Sequence, residues 1–137
     1  LGGFLGLKPH HGTAEMYYAV LEGILLNLYH CYEILASTAE EPSQILVSGG
    51  IMNSSFWLQM ASDIFRREFF TTGAKNDSTF GAALVAAAAV SGGAEALHEL
   101  TAQIKAAPAC QPREDGLTKI YRRRYAMYLD VYQNLTL

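Results

Sequence analysis

"QILVSGGIMNSSFWLQMASDIFRREFFTT", residues 44–72, decides how this chain folds. Its first five residues, "QILVS", form a short β-branched run that reads as a buried strand. From Ser54 or Ser55 the apolar residues change to helical spacing, with Trp57, Leu58, Ala61 and Ile64 on the buried side. Arg66 and Arg67 then fall in the last turn, where cations complement the helix dipole. "EFFTT", 68–72, reads as a second strand. Strand, helix and strand within about thirty residues make a βαβ unit, whose strands run parallel with a right-handed crossover. The spacing predicts an α/β chain.

Working outward, the opening residues read as a strand that turns around Pro9 to Gly12. Met16, Val20, Leu21, Ile24, Leu25, Leu28, Tyr32 and Leu35 follow at helical spacing and predict a long helix ending near Ala36. Thr13 is its expected N-cap, and Glu15 suits the first turn. Beyond the second strand, Asp77 or Ser78 is expected to cap "TFGAALVAAAAV", 79–90, with Gly92 and Gly93 ending it. Its small side chains let another backbone come close. Ala94 to Pro112 reads as a short helix and then a loop holding Pro108 and Pro112. A final helix is expected from about Glu114 to Asn134, packing through Ile120, Tyr121, Tyr125, Tyr128, Leu129 and Tyr132.

The 137 residues, 50% of them hydrophobic, suffice for one core. A net charge of −3 argues against binding nucleic acid through overall charge, which needs an excess of Lys and Arg. Cys31 and Cys110 have no CxxC or His partner and are expected to be reduced packing thiols. No stretch reaches the roughly 18 to 20 apolar residues of a membrane span, and Phe80 to Val90 reads as the longest candidate. With no signal-peptide pattern either, the expected setting is cytoplasmic, with no membrane partner. The chain opens without Met on what looks like a strand interior, so a piece of a larger protein is expected. A mean hydropathy of +0.10 fits surfaces that further parts would cover.

The residues that could carry chemistry are few. Gly49 and Gly50 stand between a strand's carboxyl end and a helix start, where open α/β sheets bind ligands, and a missing Cβ lets a ligand lie on the backbone. The same pair also serves an ordinary tight turn that needs φ > 0, and locally both readings stand. The pattern is neither GxGxxG nor GK[ST]. His10 and His11 read as a solvated turn, not a metal site. Arg122 to Arg124 would fan over roughly 200° of a helix and read as a solvated face, not a nucleic-acid patch. Glu22, among apolar neighbours, reads as a paired structural carboxylate. No catalytic residue and no metal ligand is assigned.

Three segments together resemble the FGGY carbohydrate kinases. "GGFLGLKPHHGTAEMYYAVLEG", 2–23, is similar to that family's second signature at Gly2, Phe4, Gly6, Leu7, Glu15, Met16, Ala19, Val20, Leu21 and Glu22. "SGGIMNSSFWLQMASDIF", 48–65, resembles its adenosine-binding segment, and "STFGAALVAA", 78–87, the Gly-Ala-Ala helix that follows. The resemblance implies part of an actin-like ATPase (ribonuclease-H-like) domain, with short parallel strands and several packed helices. Residues 1–137 would be the C-terminal portion of the second such domain of a sugar kinase. It also implies ATP and Mg²⁺, with γ-phosphoryl transfer to the hydroxyl of a sugar or sugar acid. Gly49, Gly50 and Ile51 would meet the nucleotide through backbone and Ser54 would contact the adenine end. Ile51 departs from the Gly or Ala usual at the third position.

The catalytic aspartate, the sugar-binding residues and the phosphate loops of that family have no counterpart in this sequence. The expected partner is therefore the N-terminal kinase domain of the same polypeptide, with room for a homodimer. "EGILLNLY" (22–29), "SGGI" (48–51) and Ser78 look most like gluconate kinases. The alternatives are xylulose or another sugar of the same family, or a non-catalytic nucleotide-binding or interaction module.

Overall fold

A computed structural model describes residues 3–38, 40–73, 77–114 and 116–134. In chain order these form α1 (Thr13–Thr38), β1 (Ile45–Leu46), a 3₁₀ helix (Gly49–Asn53), α2 (Ser55–Phe65), β2 (Phe69–Thr71), α3 (Asp77–Ser91), α4 (Ala94–Ala102), β3 (Ala107–Cys110) and α5 (Leu117–Asn134). β1 and β2 pair in parallel, Ile45 beside Phe69 and Leu46 beside Phe70, and the Val47 N–H continues the ladder to the Phe70 carbonyl at 2.8 Å. The expected parallel βαβ unit is present, with strands shorter than the hydrophobic runs implied.

Two strand expectations are corrected. Residues 3–12 lie outside any strand, because no strand among the described residues offers them a ladder; residues 1 and 2 lie outside the described ones. Conversely, the expected loop around Pro108 contains β3, antiparallel to β2 with Phe70 opposite Pro108. Proline lacks the N–H of a central strand, but the sheet order β1-β2-β3 puts it on an edge, where that donor is not needed.

The core lies between α1, α2 and α5, over one face of the sheet. Leu25, Leu26, Leu58, Met60, Ala61, Ile64, Phe69 and Tyr121 are buried together. The seam of α1 with α5 is aromatic: Tyr29 meets the Tyr125 ring edge-on at 4.9 Å between centroids, and the Tyr18 and Tyr121 hydroxyls lie 3.2 Å apart. The expected face of α1 is only half right. Leu21 and Leu25 turn inward, but Val20, Ile24, Leu28 and Leu35 are exposed because the buried stripe runs through Tyr18, Leu21, Leu25, Leu26 and Tyr29. On α5, Tyr121, Tyr125, Tyr128 and Leu129 pack as expected, while Ile120 and Tyr132 are exposed.

Helix ends also differ from the sequence reading. Gly12, not Thr13, caps α1: its carbonyl accepts from the Met16 N–H at 3.1 Å, and its own N–H donates to Glu15 Oε2 at 2.8 Å, half of a capping box. Hydrogen bonds from its own backbone N–H and from that of Gly12 hold the Glu15 carboxyl below its ordinary pKa. α2 stops at Phe65, so Arg66 and Arg67 are not in its last turn; Arg66 is the C-cap in the left-handed region, φ 54°. α3 begins at Asp77, so both expected caps, Asp77 and Ser78, fall inside the helix, and residues 74–76 before it lie outside the described ones. α5 starts three residues later than expected, at Leu117.

α1 is also long and apolar enough by composition to cross a bilayer, which overturns Phe80 to Val90 as the longest candidate. Its charged and polar side chains bind within this fold instead. Glu22 pairs with Arg124, and Glu33 accepts from the Tyr125 hydroxyl at 2.6 Å. Cys31 on the same helix is exposed rather than packed, and Cys110 is half-buried; both are free thiols.

Candidate nucleotide-binding turn

Ser48 leaves β1 in extended geometry, φ −148° and ψ 174°, and Gly49 turns the chain at φ +81°, a conformation that a side chain would strain. The 3₁₀ helix that follows buries its apolar residues halfway, Ile51 and Met52 packing onto the core, and leaves Gly49, Gly50 and Asn53 exposed. A Cβ built on Gly49 or Gly50 meets nothing within 4 Å. Gly50 is thus not required by crowding or by a positive φ, and its bare backbone opens outward. A helix leaves its first N–H groups without internal partners, so the two glycines present donors on a surface free of side chains.

Ser54 ends this turn and starts α2. Its Oγ accepts the Trp57 N–H at 3.3 Å, as an N-cap should, and its carbonyl accepts the Leu58 N–H at 2.9 Å. The hydroxyl proton remains free of that bond, so Ser54 can still donate to a ligand. Of the residues assigned to the nucleotide, Gly49, Gly50 and Ser54 therefore line one continuous turn. Ile51 contributes backbone only, since its side chain points to the core.

The other candidates resolve as follows. Glu22 is paired with Arg124, whose guanidinium also lies over the Tyr18 ring, 5.6 Å from its centroid. Arg122 and Arg123 are exposed on α5, as expected of a solvated face, but Arg124 departs from that expectation because it is held by Glu22 and Tyr18. His10 and His11 meet edge to face at 4.7 Å, and His11 Nδ1 accepts the Lys8 N–H at 3.2 Å. Among the described residues no three His, Cys, Asp or Glu side chains converge as a metal site.

The sequence reading missed what holds α2 in place. Asp63, 3% exposed, accepts from the Arg113 backbone N–H at 2.8 Å, Nε at 3.0 Å and Nη2 at 2.6 Å. Gln59 Nε2 donates to Asp63 Oδ1 at 3.0 Å and to the Gln111 carbonyl at 2.9 Å, and Arg66 reaches the Arg113 carbonyl at 3.0 Å. A carboxylate on the buried side of a helix was the available signal, the same one that marked Glu22. Trp57 is half-buried, and its indole N–H donates to the Leu21 carbonyl of α1 at 3.3 Å.

The model of the FGGY family of carbohydrate kinases, C-terminal domain, matches residues 1–90. A xylulose kinase of Staphylococcus epidermidis is 29% identical over 132 residues, covering 96% of this chain and 26% of that protein. A gluconokinase of Bacillus licheniformis is 28% identical over 135 residues, 98% of this chain and 26% of the other. Among solved structures, the gluconate kinase from Lactobacillus acidophilus superposes with a TM-score of 0.77 at 27% identity, covering 97% of this chain and 27% of that one. The xylulose kinase from Rhodospirillum rubrum gives 0.66 at 21% identity and shares the fold. The chain spans about a quarter of the length of the relatives it matches.

Proposed function

Because this chain belongs to the FGGY family of carbohydrate kinases, we propose that it forms the adenosine-holding part of an ATP-dependent kinase that phosphorylates a hydroxyl of a sugar or sugar acid. Residues 1–137 then make the C-terminal portion of the second actin-like domain, and the N-terminal kinase domain of the same cytoplasmic polypeptide completes the cleft. The observation that carries this reading is the side-chain-free turn at Gly49 and Gly50, at the carboxyl end of a parallel strand, with Ser54 beside it holding a hydroxyl proton to donate.

Mechanistically, this chain binds and orients. The 3₁₀ turn offers backbone N–H groups and Ser54 its hydroxyl to one end of the nucleotide. Phosphoryl transfer is mostly positioning and electrostatic stabilisation, and the groups for it lie at the other end of the nucleotide, on residues outside this chain. Magnesium, when bound, would supply charge neutralisation; among the described residues no cluster of His, Cys, Asp or Glu would hold it, and no role is assigned to them in holding it. The isolated 137-residue chain is accordingly inactive as a kinase.

Gluconate is the substrate we favour over xylulose. The gluconate kinase structure matches this chain at a TM-score of 0.77 with 27% identity, and "EGILLNLY" (22–29), "SGGI" (48–51) and Ser78 look most like gluconate kinases. The sequence relatives divide evenly, at 28% for a gluconokinase and 29% for a xylulose kinase. A phosphorylation panel of gluconate, xylulose, ribulose and glycerol with the full-length protein decides it, and preference for another sugar displaces gluconate.

Gly50→Leu in that protein tests the turn. A Cβ at Gly50 meets nothing within 4 Å in the fold itself, so we expect the KM for ATP to rise at least about tenfold with the sugar KM within about twofold. Equal changes in both constants would reduce the turn to a structural one.

A further inference from the structure

We propose that Trp57 is a positioning residue for the nucleotide turn: its indole N–H, bonded to the Leu21 carbonyl, fixes where Gly49 and Gly50 stand relative to α1. The inference rests on the reading of that turn as the adenosine platform.

Trp57 is joined in two directions. Its backbone N–H donates to Ser54 Oγ at 3.3 Å, which ties it to the end of the 3₁₀ turn. Its indole N–H donates to the main-chain carbonyl of Leu21 at 3.3 Å, 36 residues away on another helix. A backbone carbonyl has two lone pairs, so Leu21 can keep its helical bond and accept the indole as well.

The acceptor is itself braced. One turn before Leu21, the Tyr18 hydroxyl meets that of Tyr121 at 3.2 Å and the Tyr18 ring meets Phe56 at 6.0 Å. One residue after it, Glu22 is paired with Arg124 of α5. This stretch of α1 is a fixed frame, held from the α5 side.

Among the described residues the turn has no such brace of its own. Gly49 and Gly50 are exposed and have no side chains, and Ile51 and Met52 hold it through apolar contact. Apolar burial is non-directional, so it resists separation of the turn from the core more than sliding along it. A hydrogen bond has a preferred distance and angle and resists sliding too. Beside the Phe56–Tyr18 ring contact, the indole bond is a directional side-chain hydrogen bond from the first turn of α2 to α1. A shift of the platform by an ångström is of consequence, because nucleotide held there must keep its far end in register with the reacting hydroxyl.

Trp57→Phe keeps a ring in the same space and removes the donor. In the full-length protein we expect the KM for ATP to rise about fivefold, the factor one net hydrogen bond carries, with the sugar KM within about twofold. Should that variant fail to fold, Trp57→Leu, which also lacks a donor, is the second choice and is read in the same way. An unchanged KM for ATP in a folded variant overturns the inference, and so does an equal rise for ATP and sugar, the signature of general loosening. Gly50→Leu run in parallel separates the two failures: if it raises the KM for ATP and Trp57→Phe does not, only the inference falls. If neither does, the nucleotide reading falls with it.

Discussion

α2 and α3 are both apolar helices that lead away from a parallel strand, and the fold treats them in opposite ways. α2 buries six of its eleven residues. α3, one turn longer, buries only Ala88 among its described side chains and leaves Phe80, Val85 and Val90 exposed. α2 intersperses large side chains with polar ones whose partners are specific: Gln59 to Gln111, Ser62 to the Arg67 carbonyl, Asp63 to Arg113. α3 carries alanines, which any smooth surface can meet, and here it packs against α4. Apolar composition makes a helix ready for burial; specific polar partners fix which neighbour it gets. In this chain the helix with the fixed neighbours is the one that follows the Gly49–Gly50 turn.

The sharpest way to test that contrast is to remove the same kind of group from each region. Leu25 is 1% exposed in the cluster under α2. Leu25→Ala deletes buried methyl groups and leaves a cavity, for which we expect a loss of about 3 kcal/mol in chemical denaturation. A loss under about 1 kcal/mol would mean that the core collapses around the gap and is less rigid than its packing implies.

A second test strikes the packed body and spares the α3–α4 hairpin, which contains no tyrosine between residues 77 and 102. Burial, with a hydrogen bond to Glu33 adding to it, pushes the Tyr29 hydroxyl up to about 12. Burial likewise raises Tyr121, helped by its bond to Tyr18, and Tyr125, helped by Glu33; Tyr128 is raised by burial as well. Each group holds its proton more tightly folded than unfolded. Their contribution to stability is therefore complete below about pH 10, the unfolded value, and is lost as the pH rises through the raised folded values. We expect tyrosinate absorbance and the loss of folded circular dichroism to rise together above about pH 10. Ionisation of these seam tyrosines near pH 10 with the fold intact would contradict the seam.

The same contrast explains what was legible in the sequence. The βαβ unit was, because strand and helix periods differ sharply and the 44–72 stretch shows both. The turn at Gly49 and Gly50 was too, since glycine marks where backbone is bare. β3 was not, because Pro108 is allowed only on an edge strand and nothing local tells edge from centre. The buried side of α1 was misread at Val20, Ile24 and Leu28 because a helix apolar on most of its circumference has no single face for periodicity to find. The Trp57–Leu21 and Asp63–Arg113 links join residues 36 and 50 apart in sequence, a distance over which spacing carries no signal.

The smallest expected effect carries the comparison furthest. Val90 is 87% exposed on α3. In the 137-residue chain Val90→Ser removes a side chain that touches little, so the stability should change by less than about 0.5 kcal/mol. The chain spans about a quarter of its relatives' length, and an alanine-rich helix with valines turned outward has apolar surface to spare. In the full-length protein, a partner seated on α3 would turn the same substitution into a buried-site loss of about 1 kcal/mol or more, a polar hydroxyl replacing methyl groups in a packed contact. Thermal unfolding of both forms therefore reads the surroundings of α3 directly. A larger cost in the longer protein means that α3 is a core helix waiting for its neighbour, and the gap between α2 and α3 closes once that neighbour is present. An equal, small cost in both means that the difference belongs to the fold itself, with α3 and α4 standing as an exposed hairpin.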